Sequence, residues 1–196
     1  MKISLDLKGT PAVLTDCRRE DLPQFFKEQG YKVGAEIGVY KGDFSRLFCE
    51  NGFKMFAIDP WLAYSNYYHL KADQSQMERE FERATKKLAP YDCTIIRKTS
   101  LEALEDIPDE SLDFVYIDGN HDFLHATEDI WHWSRKVRKG GVISGHDYWN
   151  GTHQHLCDVK WVLDGITQAL RIKNWYVVGI EDKPFRIKPS WFWIKQ

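Results

Sequence analysis

The chain has 196 residues, of which 43% are apolar and 29% are charged, and its formal net charge at pH 7 is −2. This length suits a single domain with a full core, and the near-neutral charge gives no general electrostatic case for binding nucleic acid or an anionic membrane, although local charged patches stay open. Without a signal-peptide core or a run near the ~20 apolar residues of a membrane span, we expect a cytoplasmic protein without membrane or nucleic-acid partners.

The predicted elements alternate between helix and strand. Near the start of the chain, Thr15 and Asp16 are expected to cap a helix over residues 18–29 that ends at Gly30 and covers an edge of the sheet. Apolar runs predict strands at 32–38, 54–59, 93–98, 111–118, 142–144, 175–180 and 191–195. Helices are predicted at 43–51, 74–88, 101–105, 123–137 and 159–170, with Lys139, Gly140 and Gly141 as the stop signal after 123–137.

This alternation predicts an α/β fold with a mostly parallel sheet of seven strands and right-handed crossovers. The last two strands have no helix between them, so they must pair antiparallel. We expect a single domain over residues 1–196, with a helical extension at 1–31 and an aromatic and helical insertion at 60–91 near the functional site. The aromatic residues of this insertion could wall a ligand or form an amphipathic seam; they are Trp61, Tyr64, Tyr67 and Tyr68.

The segment from Lys32 to Trp61 carries the strongest functional signal. A strand runs into Gly38, a helix follows Gly42, and the next strand ends on Asp59. Gly38 permits a sharp turn and close approach of a ligand, the helix start offers free N–H groups, and Asp59 can accept hydrogen bonds from ribose hydroxyls. The Gly-x-Gly-x-x-Gly of dinucleotide sites is absent, and the carboxylate of Glu36 suits a ligand that carries an ammonium and a sulfonium, such as S-adenosylmethionine.

These residues resemble the class I S-adenosylmethionine-dependent methyltransferases, a family with a Rossmann-like, doubly wound fold. Glu36-Ile37-Gly38 matches the family's first motif, and Asp59 matches its ribose-binding acidic residue. The resemblance covers roughly residues 30–196 and implies S-adenosylmethionine as the cofactor. Ser100 is expected to meet adenine, although it could equally cap the turn that follows it. The full set of expected cofactor-binding residues is Glu36, Gly38, Tyr40, Asp59, Trp61, Ser100 and Asp118.

Two segments that follow the fourth and fifth strands resemble a subgroup of sugar and small-molecule O-methyltransferases: Asp118-Gly119-Asn120-His121 and His146-Asp147-Tyr148. This resemblance implies methyl transfer to an oxygen of a small molecule or glycan. The acceptor hydroxyl must lose its proton, and either His121 or His146 could act as the catalytic base. A divalent cation such as Mg²⁺ could instead lower the pKa of the hydroxyl. Metal-using relatives imply Asp118, His146 and Asp147 as ligands, although His146 replaces a usual oxygen donor.

Several alternatives stay open at this point. Asp59 could cap the segment after it, Asp118 could order the Gly119 turn, His121 could cap the next helix, and Asp147 could form a local Asx-turn. A zinc site is a weaker interpretation because a second ligand pair at the usual spacing is missing; its residues would be His146, His153, His155 and Cys157. At the level of function, the alternatives are a nicotinamide-dependent oxidoreductase and a non-catalytic scaffold. The oligomeric state is not indicated, and a homo-oligomer remains open.

Overall fold

The computed structural model describes residues 3, 5, 7, 9–64, 73–149, 151, 157–179 and 188–196. In this part of the chain the strands are β1 (Ala12–Leu14), β2 (Val33–Ile37), β3 (Lys54–Ile58), β4 (Cys93–Ile96), β5 (Leu112–Ile117), β6 (Val137–Gly145), β7 (Trp175–Val178) and β8 (Ser190–Ile194). The helices are α1 (Leu22–Glu28), α2 (Asp43–Glu50), α3 (Gln74–Leu88), α4 (Phe123–Lys136) and α5 (Val159–Ala169), with short 3-10 turns at Arg19–Asp21 and Glu102–Asp106. Every predicted strand and long helix is present, and most ends shift by one or two residues. The exceptions are β6, which begins five residues before its predicted start, and α1, which begins four residues after it.

All eight strands form one sheet in the order β1-β7-β8-β6-β5-β2-β3-β4. Strand β8 is antiparallel to both β6 and β7, whereas the other neighbouring pairs are parallel. The predicted Rossmann-like, mostly parallel sheet with an antiparallel C-terminal pair is confirmed. Chain order reverses between β2 and β5, and the carboxyl side of such a switch point is where open α/β sheets bind ligands.

The N-terminal region differs from the prediction in three ways. Strand β1 was missed; it pairs parallel with β7 and makes the sheet eight-stranded. The helix start is held by the Asp21 carboxylate, which accepts the backbone N–H of Arg18 at 2.8 Å, so the expected cap at Thr15 and Asp16 is wrong. Helix α1 also covers the face of the sheet instead of an edge, because the Phe26 ring lies 5.0 Å from that of Phe114 on central strand β5.

Helix α4 passes into β6 without the predicted glycine stop. The helix ends at Lys136 and the strand begins at Val137, so Gly140 and Gly141 lie inside β6. A Cβ on Gly141 would lie 2.4 Å from the carbonyl oxygen of Asp113 on β5. Gly141 therefore allows β5 and β6 to approach each other where their register shifts. In the sequence this glycine was interpreted as a helix stop, whereas it serves the pairing of two strands.

Apolar side chains fill two layers, one on each face of the sheet. Strand β5 shows the alternation: Phe114 and Tyr116 contact the layer under α1, α2 and α3, whereas Val115 and Ile117 contact the layer under α4 and α5. A central strand buried on both faces explains the unbroken apolar run of its sequence. Within the described residues, no helix is long and apolar enough to cross a membrane.

The insertion after β3 is described only in part. Helix α3 has the predicted bounds, and the Asp73 carboxylate caps it by accepting the backbone N–H of Gln76 at 2.7 Å. Residues 65–72 lie outside the described residues, and the predictions for Tyr67 and Tyr68 fall there.

Candidate active site

Asp59 ties together the turn after β2 and the end of β3. Its carboxylate accepts the backbone N–H groups of Val39 and Tyr40, both at 2.9 Å, and that of Trp61 at 2.7 Å. Burial raises the pKa of Asp59, and these backbone hydrogen bonds oppose the rise. Tyr40 and Trp61 have positive φ values of 49° and 45°, which are costly conformations that recur at functional sites. The carboxylate that was predicted to hold ribose therefore also shapes the turn.

Gly38 is a glycine for one of the two predicted reasons and for a further one. Its φ of +88° is the conformation that the predicted sharp turn requires. A Cβ would also lie 2.2 Å from the carbonyl oxygen of Asp118, so the end of β5 fills the space that a side chain would need. The predicted contact of the Gly38 backbone with the cofactor stays a prediction.

Trp61 does not line a ligand-accessible wall. Its side chain is fully buried, its ring centre lies 5.0 Å from that of Phe81 on α3, and its indole N–H donates to the carbonyl oxygen of Tyr40 at 2.8 Å. The predicted direct contact with the cofactor is corrected: Trp61 belongs to the amphipathic seam and supports the backbone of Tyr40. Tyr64, by contrast, is 44% exposed, and burial together with the nearby Asp59 raises its phenol pKa.

Glu36 lies deeper than predicted. Its side chain is 2% exposed, and the Ser45 hydroxyl on α2 donates a short hydrogen bond to its carboxyl group. Burial raises the pKa of Glu36 to about 8, against the opposing effects of Ser45 and the Arg19 cation. Burial therefore disfavours a negative charge on Glu36, and its predicted contact with the cofactor stays a prediction.

We expect Glu36→Gln to remove a pH dependence of folding stability. Because the folded pKa of about 8 exceeds the ordinary 4.5, Glu36 stabilises the fold fully below the lower value, and this contribution is lost as the pH rises through the upper one. The free energy of unfolding of the unaltered protein should fall relative to the variant by up to ~1.4 kcal/mol per pH unit in this window. Urea denaturation at pH values of about 5, 7 and 8 measures the difference, and a constant difference would contradict the assignment.

Two carboxylates and two imidazoles meet beyond the ends of β5 and β6. His121 Nε2 lies 3.1 Å from Asp147 Oδ2 and 3.7 Å from Asp118 Oδ1. His146 Nδ1 lies 3.1 Å from Asp147 Oδ2 and 3.6 Å from Asp118 Oδ1. The sequence prediction that these four residues share one place is therefore supported by their geometry, and Asp147 adopts a positive φ of 60° there.

One of the local structural roles considered for this cluster is wrong. Helix α4 is capped by Asp122, whose carboxylate accepts the backbone N–H of His125 at 2.9 Å, so His121 is not the cap. The carboxylates of Asp118 and Asp147 both lie within ion-pair distance of the two imidazoles. A role of Asp118 in the Gly119 turn and an Asx-turn at Asp147 stay predictions.

The charges in this cluster support one another. Burial would lower the pKa of His146, but Asp118 and Asp147 outweigh it and raise this pKa to about 9; the pKa of His121 is raised for the same reason. Burial would raise the pKa of Asp118. Its interactions with His146, His121 and Arg19 outweigh this effect and hold the pKa below its usual range. The neighbouring carboxylates therefore favour the protonated form of both imidazoles. The expected unperturbed pKa is corrected, and the role of His121 or His146 as the base stays a prediction.

The same cluster has a donor set that could hold a metal ion. One ligand atom each from Asp118, His121 and Asp147 lie within 4.8 Å of one another. His121 thus joins the two predicted carboxylates, and the predicted ligand His146 flanks them through contacts to both. Two carboxylate oxygens with one imidazole nitrogen suit a borderline divalent ion better than Mg²⁺, which prefers oxygen ligands throughout.

Ser100 does not cap the turn that follows it. Thr99 and Glu102 cap each other there: the Thr99 backbone N–H donates to the Glu102 carboxylate at 3.0 Å. The Ser100 hydroxyl donates to Asp129 on α4 and accepts the indole N–H of Trp133, at 2.8 Å for the latter. The predicted adenine contact stays a prediction. Sequence reasoning missed Asp129, a 4% exposed carboxyl group whose pKa is raised to about 6 by burial.

Arg19 was also missed. Its guanidinium reaches the site from the 3-10 turn before α1, and its Nη1 lies 3.6 Å from Asp118 Oδ2.

The zinc interpretation gains no support: Cys157 is buried with its thiol donating to the Asp147 carbonyl oxygen, and His153 and His155 lie outside the described residues.

A family model described as a methyltransferase domain matches residues 35–148, which is more than half of the chain and spans the turn after β2 and the polar cluster. The chain belongs to the methyltransferase domain family. The expectation drawn from Glu36, Gly38 and Asp59 is thereby confirmed at the level of the family. Arg19, α1 and the antiparallel strand pair of this methyltransferase domain lie outside the match.

Individual relatives of this methyltransferase domain are distant. A curated protein from Sinorhizobium fredii, the uncharacterized protein y4gI, is 27% identical over 125 residues, which cover 57% of this chain and 12% of that protein. The chain thus spans about one eighth of that relative's length. An O-methyltransferase from Bacillus cereus in complex with SAH matches with a TM-score of 0.62 and 14% identity over 90% of this chain and 80% of that chain.

A third similar protein is the O-methyltransferase TomG from Streptomyces achromogenes, involved in tomaymycin synthesis and solved in complex with SAM. It matches with a TM-score of 0.61 and 12% identity over 90% of this chain and 79% of that chain. At these identities the likeness shows the fold alone. What the relatives bind or methylate bears on this methyltransferase domain only as a guide to experiments.

Proposed function

We propose that this methyltransferase domain transfers a methyl group from S-adenosylmethionine to an oxygen atom of a small molecule or glycan. The observation that carries the proposal is the polar cluster of Asp118, His121, His146 and Asp147 at the switch-point edge of the sheet. The shaped turn after Gly38 lies at the neighbouring strand ends. A donor site and an acceptor site are thus adjacent in a domain of the methyltransferase family.

The donor end of the proposed site is built from the turn after β2. S-adenosylmethionine supplies an activated methyl group on its sulfonium. Asp59 holds the backbone of Val39 and Tyr40 in place and has further lone pairs for a ribose hydroxyl. Ser100 donates to Asp129 and accepts from Trp133, which leaves its second lone pair for a donor such as the adenine amino group. Positioning of this kind is the main task of the protein when the methyl group is already activated.

The acceptor end handles a proton. The acceptor oxygen must be deprotonated during transfer, and the four polar residues offer both negative charge and imidazole nitrogens. A divalent cation on Asp118, His121 and Asp147, with His146 beside them, would lower the pKa of a bound hydroxyl and displace the imidazole protons. Without a cation, His121 or His146 would have to lose its own proton first. We therefore propose a metal-assisted acceptor site, with a borderline divalent ion preferred over Mg²⁺.

The other functions considered have less support. A nicotinamide-dependent oxidoreductase would need close backbone approach to a pyrophosphate, and the turn lacks Gly-x-Gly-x-x-Gly. A scaffold without activity has no use for four buried or half-buried ionisable side chains at a ligand-binding edge, which are costly to bury. A cytoplasmic location and any homo-oligomer stay predictions.

Calorimetric titration tests the proposal at the donor site. We expect S-adenosylhomocysteine to bind the domain and NAD not to bind. Asp59→Asn should weaken S-adenosylhomocysteine binding by about 10- to 100-fold, because the amide replaces an acceptor of three N–H groups and of ribose with a partial donor. Asp106→Asn, an exposed carboxylate paired with Lys98, is the control and should bind like the unaltered protein. Equal binding of S-adenosylhomocysteine by the Asp59 variant would contradict the donor assignment.

A further inference from the structure

We propose that Arg19 binds the carboxylate at the amino-acid end of the methyl donor. This inference rests on the proposed function and concerns a residue that lies outside the matched family region, 35–148. It assigns to the N-terminal extension a direct role in ligand binding. The role is not predictable from the motifs, all of which begin at β2.

The guanidinium of Arg19 lies over aromatic rings at the junction of α2 and β5. Its Cζ is 4.2 Å from the centre of the Phe44 ring and 5.6 Å from that of Tyr116. Both distances are within the range of a cation–π contact. The Arg19 side chain is only 23% exposed, so it has given up most of its hydration to lie there. The rings orient the planar group and leave its edges, which carry the N–H donors, free to point elsewhere.

Those N–H donors are underused. Among the described residues, the Arg19 side chain makes one ion pair, at 3.6 Å to Asp118, and no hydrogen bond. A guanidinium has five N–H donors in a fork that fits a carboxylate with two parallel hydrogen bonds. The donors that make no hydrogen bond within the described residues are not fully enclosed, so an anionic ligand group can reach them. Such a group would complete the set of hydrogen bonds of the guanidinium.

The backbone is anchored both before and after Arg19. Before it, β1 is fixed to the sheet, and the carbonyl oxygen of Leu14 accepts the backbone N–H of Gly179 at 3.0 Å. After it, the Asp21 carboxylate accepts the backbone N–H of Arg18 and so closes the turn around Arg19. The ring centre of Phe25 on α1 lies 5.6 Å from that of Phe192 in the core. A binding side chain on anchored backbone is set before the ligand arrives, which reduces the entropy cost of binding.

The surroundings favour the donor over the acceptor as the source of the anion. Phe44 belongs to the first turn of α2, directly after the Gly38–Gly42 turn, where the amino-acid end of the donor is expected. Asp118 is the carboxylate beside the guanidinium, at 3.6 Å, and its negative charge could face an ammonium group. An α-amino acid carries an ammonium and a carboxylate on one carbon. Asp118 and Arg19 together match these two opposite charges.

The decisive experiment compares two ligands by calorimetry. S-adenosylhomocysteine has the carboxylate, and S-adenosyl-3-thiopropylamine lacks it but keeps the amine. The unaltered protein should prefer the first by about 10- to 100-fold, and Arg19→Gln should bind the two ligands about equally. Arg18→Gln makes the same charge change at the neighbouring, exposed position and should keep the preference. Arg19→Lys should retain part of it, because an ammonium keeps the charge but loses the fork.

Each other outcome overturns a specific statement. If Arg19→Gln keeps the preference for the carboxylate, or weakens both ligands equally while its melting curve is normal, Arg19 does not bind the donor carboxylate. If it leaves donor binding unchanged but raises the KM of an acceptor, the anion belongs to the acceptor and the donor assignment is wrong. If the unaltered protein binds neither ligand, the proposed function itself fails, which is a result distinct from a failure of the Arg19 assignment alone.

Discussion

Gly38→Ala is expected to destabilise the fold by about 3–6 kcal/mol, a large share of the stability of an ordinary domain. Two costs add. The alanine would adopt a φ of +88°, and its Cβ would lie 2.2 Å from the Asp118 carbonyl oxygen, 2.5 Å from its carbonyl carbon and 2.7 Å from Gly119 Cα. Because all three atoms are backbone, relief requires that β2 and β5 move apart at the edge that carries both halves of the site.

Urea denaturation measures this effect, and the chain offers a matched control. Gly52 has a φ of +89°, yet no atom lies within 4 Å of the position of its Cβ. Gly52→Ala should therefore cost only the backbone strain, about 1–2 kcal/mol. Equal losses in the two variants would show that the contact with the end of β5 is unimportant. A larger loss for Gly38→Ala, together with weaker binding of S-adenosylhomocysteine, is the expected result.

Asp118→Asn is expected to lower the rate of methyl transfer by about 10²- to 10⁴-fold, the range for loss of a group that handles a proton in the transition state. Asp118 faces His121, His146 and Arg19 at 3.6–3.7 Å. The neutral amide would leave the two imidazoles to Asp147 alone, would remove the ion pair of Arg19, and would remove one of the three candidate metal ligands. The rate of S-adenosylhomocysteine formation, with any acceptor that the unaltered domain methylates, measures the loss.

Folding and binding measurements separate this catalytic effect from a general one. Breaking a buried ionic contact costs stability, so rates must be compared well below the melting transition of the variant. Asp109→Asn is the control: Asp109 pairs with Lys136 at 2.8 Å on an exposed surface and should leave the rate unchanged. If Asp118→Asn stays folded and transfers methyl groups at nearly the normal rate, the polar cluster is not the acceptor site.

The sequence predicted the elements well where the signals are local. Helix α3 was predicted with its observed bounds, since Pro90 follows its end in the sequence. Its capping residue, Asp73, was not predicted. Strand β5 was predicted from a continuous apolar run, and the antiparallel terminal pair from the missing crossover helix. Strand β1 was missed because three residues, of which Val13 is exposed, carry no readable period; only pairing with β7 makes them a strand.

The site was predicted in position but not in chemistry. Motifs placed Asp118, His121, His146 and Asp147 together because parallel strands end at one edge. Their charges could not be predicted, since each pKa depends on distances between side chains that are far apart in sequence. The burial of Glu36 and Trp61 has the same origin, because the sequence marks a residue as near a turn but not how deep it lies. Arg19 had no local signal, since its partners come from α2 and β5.

Strand β1 has a consequence beyond the geometry of Arg19. It occupies the outer side of β7, whose four residues are all buried. An uncovered strand edge of this kind can pair with the edge of another molecule, which is a common route to aggregation. Loss of the first fourteen residues would replace the three-residue outer strand β1 with the edge of β7. We therefore expect such a truncated chain to self-associate more readily than the unaltered one.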